Sequence, residues 1–215
     1  MTMTSKFLNS FALTSPGYQF MYVILFFGIV GMAITIERGI FIYVSSNINA
    51  NRFMAKIKEL INKDNYDRAI ELCRSAGNRA LPFVVSAAIK EAKAREFVDY
   101  RAVQNAVDEA TLEIIPKLNI RTGYLAAIGN IATLTGLMGT IFGLILSFEA
   151  AGQAGGGAAE LSAGIGVAML TTLWGLVIAI PSIISYTLIS TKANNIVDDI
   201  DEHSVKLIHL MTRGK

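Results

Sequence analysis

The sequence predicts an all-α membrane protein with three transmembrane helices and long helical extensions. Of its 215 residues, 53% are hydrophobic and 17% are charged, and the mean hydropathy is +0.47. No Asp, Glu, Lys or Arg occurs at 7–36, 122–148 or 161–191, and these gaps of 30, 27 and 31 residues each exceed the roughly 20 residues needed to cross a bilayer. This composition excludes a large soluble enzyme.

The first predicted elements are an N-terminal segment at 1–16 and transmembrane helix 1 at 17–44. The uncharged run is longer than the 7 to 15 residues, roughly, of a signal-peptide core, so we expect a retained helix that continues straight through Tyr43. Bulky apolar side chains surround this helix apart from Gly28 and Gly31, which is typical of a position facing lipid.

The connection at 45–120 is predicted to be a helical hairpin. Apolar residues recur there at helical spacing, and Gly77 and Pro82 mark a turn and a restart. The same spacing predicts a C-terminal helix at 192–215. Its acidic residues, Asp198 to Glu202, lack the glycine turn of a calcium loop, so we interpret them as a solvated helix face and expect no metal site.

The positions of the basic residues predict the orientation. Lys6 is the single Lys or Arg before helix 1, and the loop at 149–160 has none, whereas 14 lie from Arg38 at the end of helix 1 to Arg121 at the start of helix 2, and four follow helix 3. Because Lys and Arg favour the cytoplasmic side, we expect the N-terminus and the 149–160 loop in the periplasm and the C-terminus in the cytoplasm.

Transmembrane helices 2 and 3, at 121–148 and 161–191, differ from helix 1 in carrying stripes of small and hydroxyl residues. Close helix packing explains such stripes, and so does a pore wall of hydroxyl groups. For Thr133 and Thr172 both interpretations stay open. Because three spans cannot enclose a pore, a pore requires a ring of copies with helix 1 outside. The candidate pore-lining residues are Thr133, Thr135, Gly136, Thr140, Ala168, Thr171, Thr172 and Gly175.

Charged groups are confined to the ends of the spans. Glu37 and Arg38 form a predicted interfacial ion pair, and no ionisable residue lies in mid-span, so a proton path requires a carboxylate from a partner. The lone Cys73 excludes an internal disulfide, and His203 and His209 have no clustered acid or nucleophile. We therefore expect no enzyme activity and no cofactor. The net charge of +2 is small and its basic excess is scattered, so we also expect no nucleic-acid binding.

Two segments resemble the ExbB/TolQ/MotA proton-channel family, most closely its three-span ExbB/TolQ branch. LAAIGNIATLTGLMGTIFGLILSF, at 125–148, is similar to the family's second transmembrane helix, and GIGVAMLTTLWGLVIAIPSIISY, at 164–186, to its third. The Glu37-Arg38 pair and DRAIELCRSAGNRALPFVVSAAIKEA, at 67–92, also match.

The resemblance implies a bacterial inner-membrane homopentamer around a two-copy, single-span ExbD/TolR-like partner whose Asp carries the proton. It implies use of the proton motive force for transport or mechanical work at the cell envelope, and a pore role for Thr172. Three positions depart from the family: Val167 replaces a Glu, Ile131 a threonine and Thr133 a common Pro. These departures suggest a specialised member. The alternative is a structural membrane oligomer that conducts nothing.

Overall fold

The computed structural model describes residues 18–46, 48–77, 79–95, 97–152 and 158–213, and its elements are helices. Three helical stretches are long and apolar enough to cross a membrane, which confirms the predicted all-helical class with three spans. The α-helices of the described residues are α1 Tyr18–Ile40, α2 Ala50–Asn62, α3 Tyr66–Ser75, α4 Ala80–Ala94, α5 Tyr100–Asn119, α6 Thr122–Gly152 and α7 Ala158–Arg213.

The chain divides into two compact units, each described separately. The apolar unit comprises α1 up to Ile36 together with Arg121–Thr187. The polar unit comprises Glu37–Ile120 and Leu188–Lys215. Both α1 and α7 contribute residues to each unit.

The ends of the apolar helices differ from the sequence prediction. Helix 1 does not stay regular through Tyr43, because Phe41–Ser45 forms a π-helical turn in which the Ser46 N–H donates to the Phe41 carbonyl oxygen at 2.8 Å. Both α6 and α7 extend into the predicted 149–160 loop, and α7 passes residue 192 without a break. The segment at 1–16 and the centre of that loop, 153–157, lie outside the described residues.

The predicted hairpin at 45–120 is divided into four helices, since each predicted arm is broken once. Asn65 caps α3 by accepting a hydrogen bond from the Arg68 N–H at 3.4 Å, and Asp99 caps α5 by accepting one from the Arg101 N–H at 3.0 Å. These residues are favoured helix N-caps. The predicted turn lies between α3 and α4, where Gly77 has φ +75°.

Large apolar side chains form the core of the polar unit. Helix α4 packs against α3 and α5, and α3 also packs against α2. Each helix buries one stripe, as expected for amphipathic helices in water. The most completely buried of these side chains include Met54, Ile57, Leu81, Ile89, Leu118, Ile200 and Leu207.

In the apolar unit, α1 buries one narrow face. Met21 and Ile24 are 2% and 1% exposed, and Gly28 and Gly31 admit the side chains of Ile178 and Ile128. The remaining faces of α1 are exposed and apolar, with Phe26, Ile29 and Met32 among their side chains. Such a surface suits contact with lipid.

Candidate pore-lining site

Glycines bring the backbones of α6 and α7 into direct contact. A Cβ placed on Gly175 would lie 2.6 Å from the Ala132 carbonyl oxygen, and one on Gly136 would lie 3.0 Å from the Thr171 carbonyl oxygen. Neither contact is with the end of a flexible side chain that could move away. The small-residue stripes of the two helices therefore form one close interface within the chain, which we call the seam.

Three threonine hydroxyls surround one carbonyl oxygen in the middle of the seam. The Oγ1 atoms of Thr140, Thr171 and Thr172 each lie 3.2 Å from the Gly136 carbonyl oxygen. Thr140 and Thr172 are also hydrogen-bonded to each other. Because a carbonyl oxygen has two lone pairs and each hydroxyl has one proton, these groups cannot all bond to Gly136 at once.

The Ala168 carbonyl oxygen provides the second acceptor of this cluster. Thr171 lies 2.7 Å from it along the same helix, and Thr140 lies 3.3 Å from it across the seam. The hydroxyl protons therefore have alternative acceptors in α6 and α7. We call Thr140, Thr171 and Thr172 with these two carbonyls the hydroxyl cluster. It offers hydrogen-bond donors and acceptors but carries no charge.

The eight candidate pore-lining residues differ in exposure. Five are buried inside the chain and do not form an exposed face: Thr135, Gly136, Ala168, Thr171 and Gly175. Thr133, Thr140 and Thr172 are partly accessible. Thr133 stands apart from the hydroxyl cluster, since its hydroxyl donates to the Gly129 carbonyl oxygen of its own helix at 3.0 Å.

The partnership of Thr140 with Thr172 was not anticipated from the sequence. The departure at Ile131 suggested a missing hydroxyl on helix 2, and Ile131 is indeed an exposed apolar side chain. Thr140, nine residues further along α6, supplies a hydroxyl next to Thr172. The GLMGT motif at 136–140 could have indicated this contact, because its glycines allow the close approach of the helices that lets Thr140 reach α7. The side chain of Val167 lies outside what the structure describes.

Glu37 and Arg38 form an ion pair in the polar unit, with an Nη2–Oε1 distance of 3.0 Å. Arg38 is only 6% exposed, and its Nη1 donates to the Lys117 carbonyl oxygen at 3.5 Å. Its guanidinium lies 5.1 Å from the centre of the Phe41 ring. Arg38 thus joins the end of α1 to the end of α5, where the helix dipole favours a cation.

The polar unit also contains the cysteine and the two histidines of the chain, Cys73, His203 and His209. Among the described residues, no group of three His, Cys, Asp or Glu side chains is placed to hold a metal ion. Burial raises the pKa of the Cys73 thiol to about 12, which makes this group unreactive near neutral pH.

Comparison with known proteins identifies relatives for this arrangement. A biopolymer transport protein ExbB homolog of Methanothermobacter thermautotrophicus is 27% identical over 84% of this chain and 62% of its own length. The Tol-Pal system protein TolQ of Haemophilus influenzae is 30% identical over 54% of this chain and 52% of its own length. The chain thus spans between half and two thirds of the length of these relatives.

A solved structure and a family model extend the comparison. The structure of C. jejuni MotAB has a chain with the same fold, with a TM-score of 0.65, 14% identity, and coverage of 96% of this chain and 80% of that one. The model of the MotA/TolQ/ExbB proton channel family matches residues 77–202, which include the hydroxyl cluster and about half of the polar unit. The chain is therefore a membrane protein that belongs to the MotA/TolQ/ExbB proton channel family.

Proposed function

We propose that this protein is the ring-forming subunit of an ExbB/TolQ-type proton channel. Five copies in the bacterial inner membrane surround a two-copy, single-span ExbD/TolR-like partner. The partner's Asp carries the proton, and the proton motive force drives transport or mechanical work at the cell envelope. The N-terminus lies in the periplasm and the C-terminus in the cytoplasm, as the distribution of basic residues predicts.

The hydroxyl cluster is the observation that carries this proposal. Thr140 and Thr172 are partly accessible and share a hydrogen bond inside an otherwise apolar seam. Burial of hydroxyl groups in a membrane is costly unless they have partners, and here several acceptors are available to each proton. A cluster that can exchange its hydrogen bonds is suited to a carboxyl group that alternates between charged and neutral forms.

The lack of an ionisable group in the seam supports a partner. A proton relay in a membrane requires a titratable residue. Of the described residues that belong to α6 and α7 in the apolar unit, those nearest the hydroxyl cluster are small, hydroxyl or apolar. In this proposal Thr140, Thr172 and the more distant Thr133 form the polar wall, and the small side chains of the seam hold the two helices together behind it: Gly136, Ala168, Thr171 and Gly175.

Proton flux through the ring reconstituted with its partner in vesicles tests the role of Thr172. Replacing Thr172 with Val keeps the volume but removes the hydroxyl, so we expect flux to fall about tenfold, as for loss of about 1.4 kcal/mol of hydrogen bonding. Thr187→Val is the matched control, since the Thr187 hydroxyl donates within α7 to the Ile183 carbonyl oxygen at 3.0 Å.

The alternative, a structural oligomer that conducts nothing, predicts a different result. Native mass spectrometry of the same preparations reports whether the ring and its partner are intact. An intact complex whose proton flux is the same with Thr172 and with Val would remove the pore role. An intact complex that loses flux in Thr172→Val but not in Thr187→Val would support conduction past the hydroxyl cluster.

A further inference from the structure

The polar unit contains an open pocket between α3 and α4 with an excess of positive charge. Its volume is about 560 Å³, and Lys93 in its wall is paired with Asp67. Arg74 and Lys90 make no ion pair with any other described residue. With Glu71 also in the wall, three cations face two carboxylates, which gives a net charge of +1.

An acidic face on α7 has the opposite charge. Asp198, Asp199, Asp201 and Glu202 lie within five consecutive residues, and none of them is buried. Lys206 pairs with Glu202, and the hydrogen bond from this lysine holds the pKa of the Glu202 carboxyl below its usual range. The three aspartates make no ion pair within the described part of the chain.

Contacts within the polar unit place the pocket and the acidic face at the same height along the helices. The Lys117 Nζ lies 5.7 Å from the centre of the Phe83 ring, which pairs the end of α5 with the start of α4. Seven residues lead from Phe83 to Lys90 along α4, and seven lead back from Lys117 to Ala110 along α5. Equal rise per residue therefore puts Lys90 level with Ala110.

The contact between α5 and α7 relates the acidic face to the same level of α5. The rings of Tyr100 and His209 lie 6.3 Å apart, so the start of α5 lies beside the end of α7. Ten residues lead from Tyr100 to Ala110, and ten lead back from His209 to Asp199. Asp199 is thus level with Ala110 and with Lys90. The pocket is lined by residues of α3 and α4, whereas the basic residue of another helix whose charge lowers the pKa of Glu202 is Lys58 of α2, which does not line the pocket.

We propose that the pocket between α3 and α4 receives the acidic face of α7 from a neighbouring copy of this chain. This inference rests on the ring assembly of the proposed function. The symmetry axis of the proposed ring runs parallel to the helices, and rotation about this axis moves no residue along the helix direction. Two patches that meet between neighbouring copies must therefore lie at the same level along the helices. Complementary charge at equal height on two different surfaces gives a head-to-tail contact, which closes into a ring.

Disulfide cross-linking tests this contact without altering any charge. Ala94 lines the pocket and Val205 follows the acidic face, and both are exposed. Oxidation of membranes that contain the double variant Ala94→Cys and Val205→Cys should give a ladder of linked copies up to the full ring. Cys73 does not compete, because it is buried and has a pKa of about 12. The control pair Ala94→Cys and Ile120→Cys should give no ladder, because Ile120 is exposed just after α5 and lies ten residues from the level of Ala110.

Charge exchange gives a second readout of the same contact. Arg74→Glu with Lys90→Glu, in the double-cysteine background, should reduce the ladder about tenfold through like-charge repulsion. Adding Asp198→Lys and Asp201→Lys should restore it. Lys63→Glu is the matched control, since Lys63 is exposed and pairs with Glu59 on its own helix.

The outcomes separate this inference from the proposed function. The contact is overturned, but not the channel, if native mass spectrometry shows an intact ring and oxidation gives no ladder. The same holds if the ring is intact but charge exchange does not restore the ladder. A wild-type protein that forms no ring overturns both. The contact is supported if Arg74→Glu with Lys90→Glu weakens the ladder and the addition of Asp198→Lys with Asp201→Lys restores it.

Discussion

The seam of the apolar unit and the core of the polar unit are packed by opposite means. In the seam, Gly136 and Gly175 allow one helix backbone to touch another, and threonine hydroxyls bond to carbonyl oxygens there. In the polar unit, Ile57 and Ile89 are 0% exposed and fill the space between amphipathic helices. One region depends on the absence of side chains, and the other depends on their volume.

The difference follows from the solvent around each region. In water, burial of apolar area stabilises helix packing by about 25 cal/mol per Å². In lipid this driving force between helices is missing, because the surrounding chains are as apolar as leucine. Close van der Waals contact and hydrogen bonds must then associate the helices, which favours glycine and threonine over leucine. A substitution that removes side-chain volume should therefore damage the polar unit, and one that adds side-chain volume should damage the seam.

The largest effect is expected from removing volume in the polar unit. Ile89→Ala leaves a cavity among fully buried neighbours and should lower the free energy of unfolding by about 2–5 kcal/mol. Hydrogen exchange measured by mass spectrometry should show faster exchange in α3, α4 and α5. Leu112→Ala is the control, because Leu112 is 75% exposed and its loss should change stability by less than about 0.5 kcal/mol. Equal effects of the two substitutions would contradict a core held by volume.

The next effect is expected from adding volume in the seam. Gly175→Ala places a Cβ 2.6 Å from the Ala132 carbonyl oxygen, so the helices must separate, at a cost of about 1–3 kcal/mol. The adjacent Trp174, the single tryptophan of the chain, reports this change through its fluorescence during detergent unfolding. Gly166→Ala on the same helix is the control, since a Cβ there meets nothing within 4 Å. Wild-type stability in Gly175→Ala would mean that the seam is not closely packed.

The sequence predicted the apolar helices and their small-residue stripes because composition records the solvent that each segment meets. It did not predict which hydroxyls meet, since Thr171 and Thr172 are adjacent and only the rotation of α7 decides that Thr171 is 1% exposed while Thr172 stays partly accessible. The breaks at Asn65 and Asp99 were missed for a different reason. The apolar spacing continues across both residues, so a cap was indistinguishable from a polar position on a longer helix.

The smallest effect is expected from a substitution that removes a hydroxyl group from the seam and adds no volume there. Ser147 is 4% exposed, and its hydroxyl donates to the Gly143 carbonyl oxygen of its own helix at 2.6 Å. Ser147→Ala should change the free energy of unfolding by less than about 0.5 kcal/mol, because a serine hydroxyl that bonds back to the i−4 carbonyl of its own helix adds little to stability. Ser147→Leu should cost several times more, since Gly164 of α7 lies directly against this side chain. If Ser147→Ala were as damaging as Ser147→Leu, close contact with Gly164 would not be what limits the side chain at this position, and packing by small residues would not explain this part of the seam.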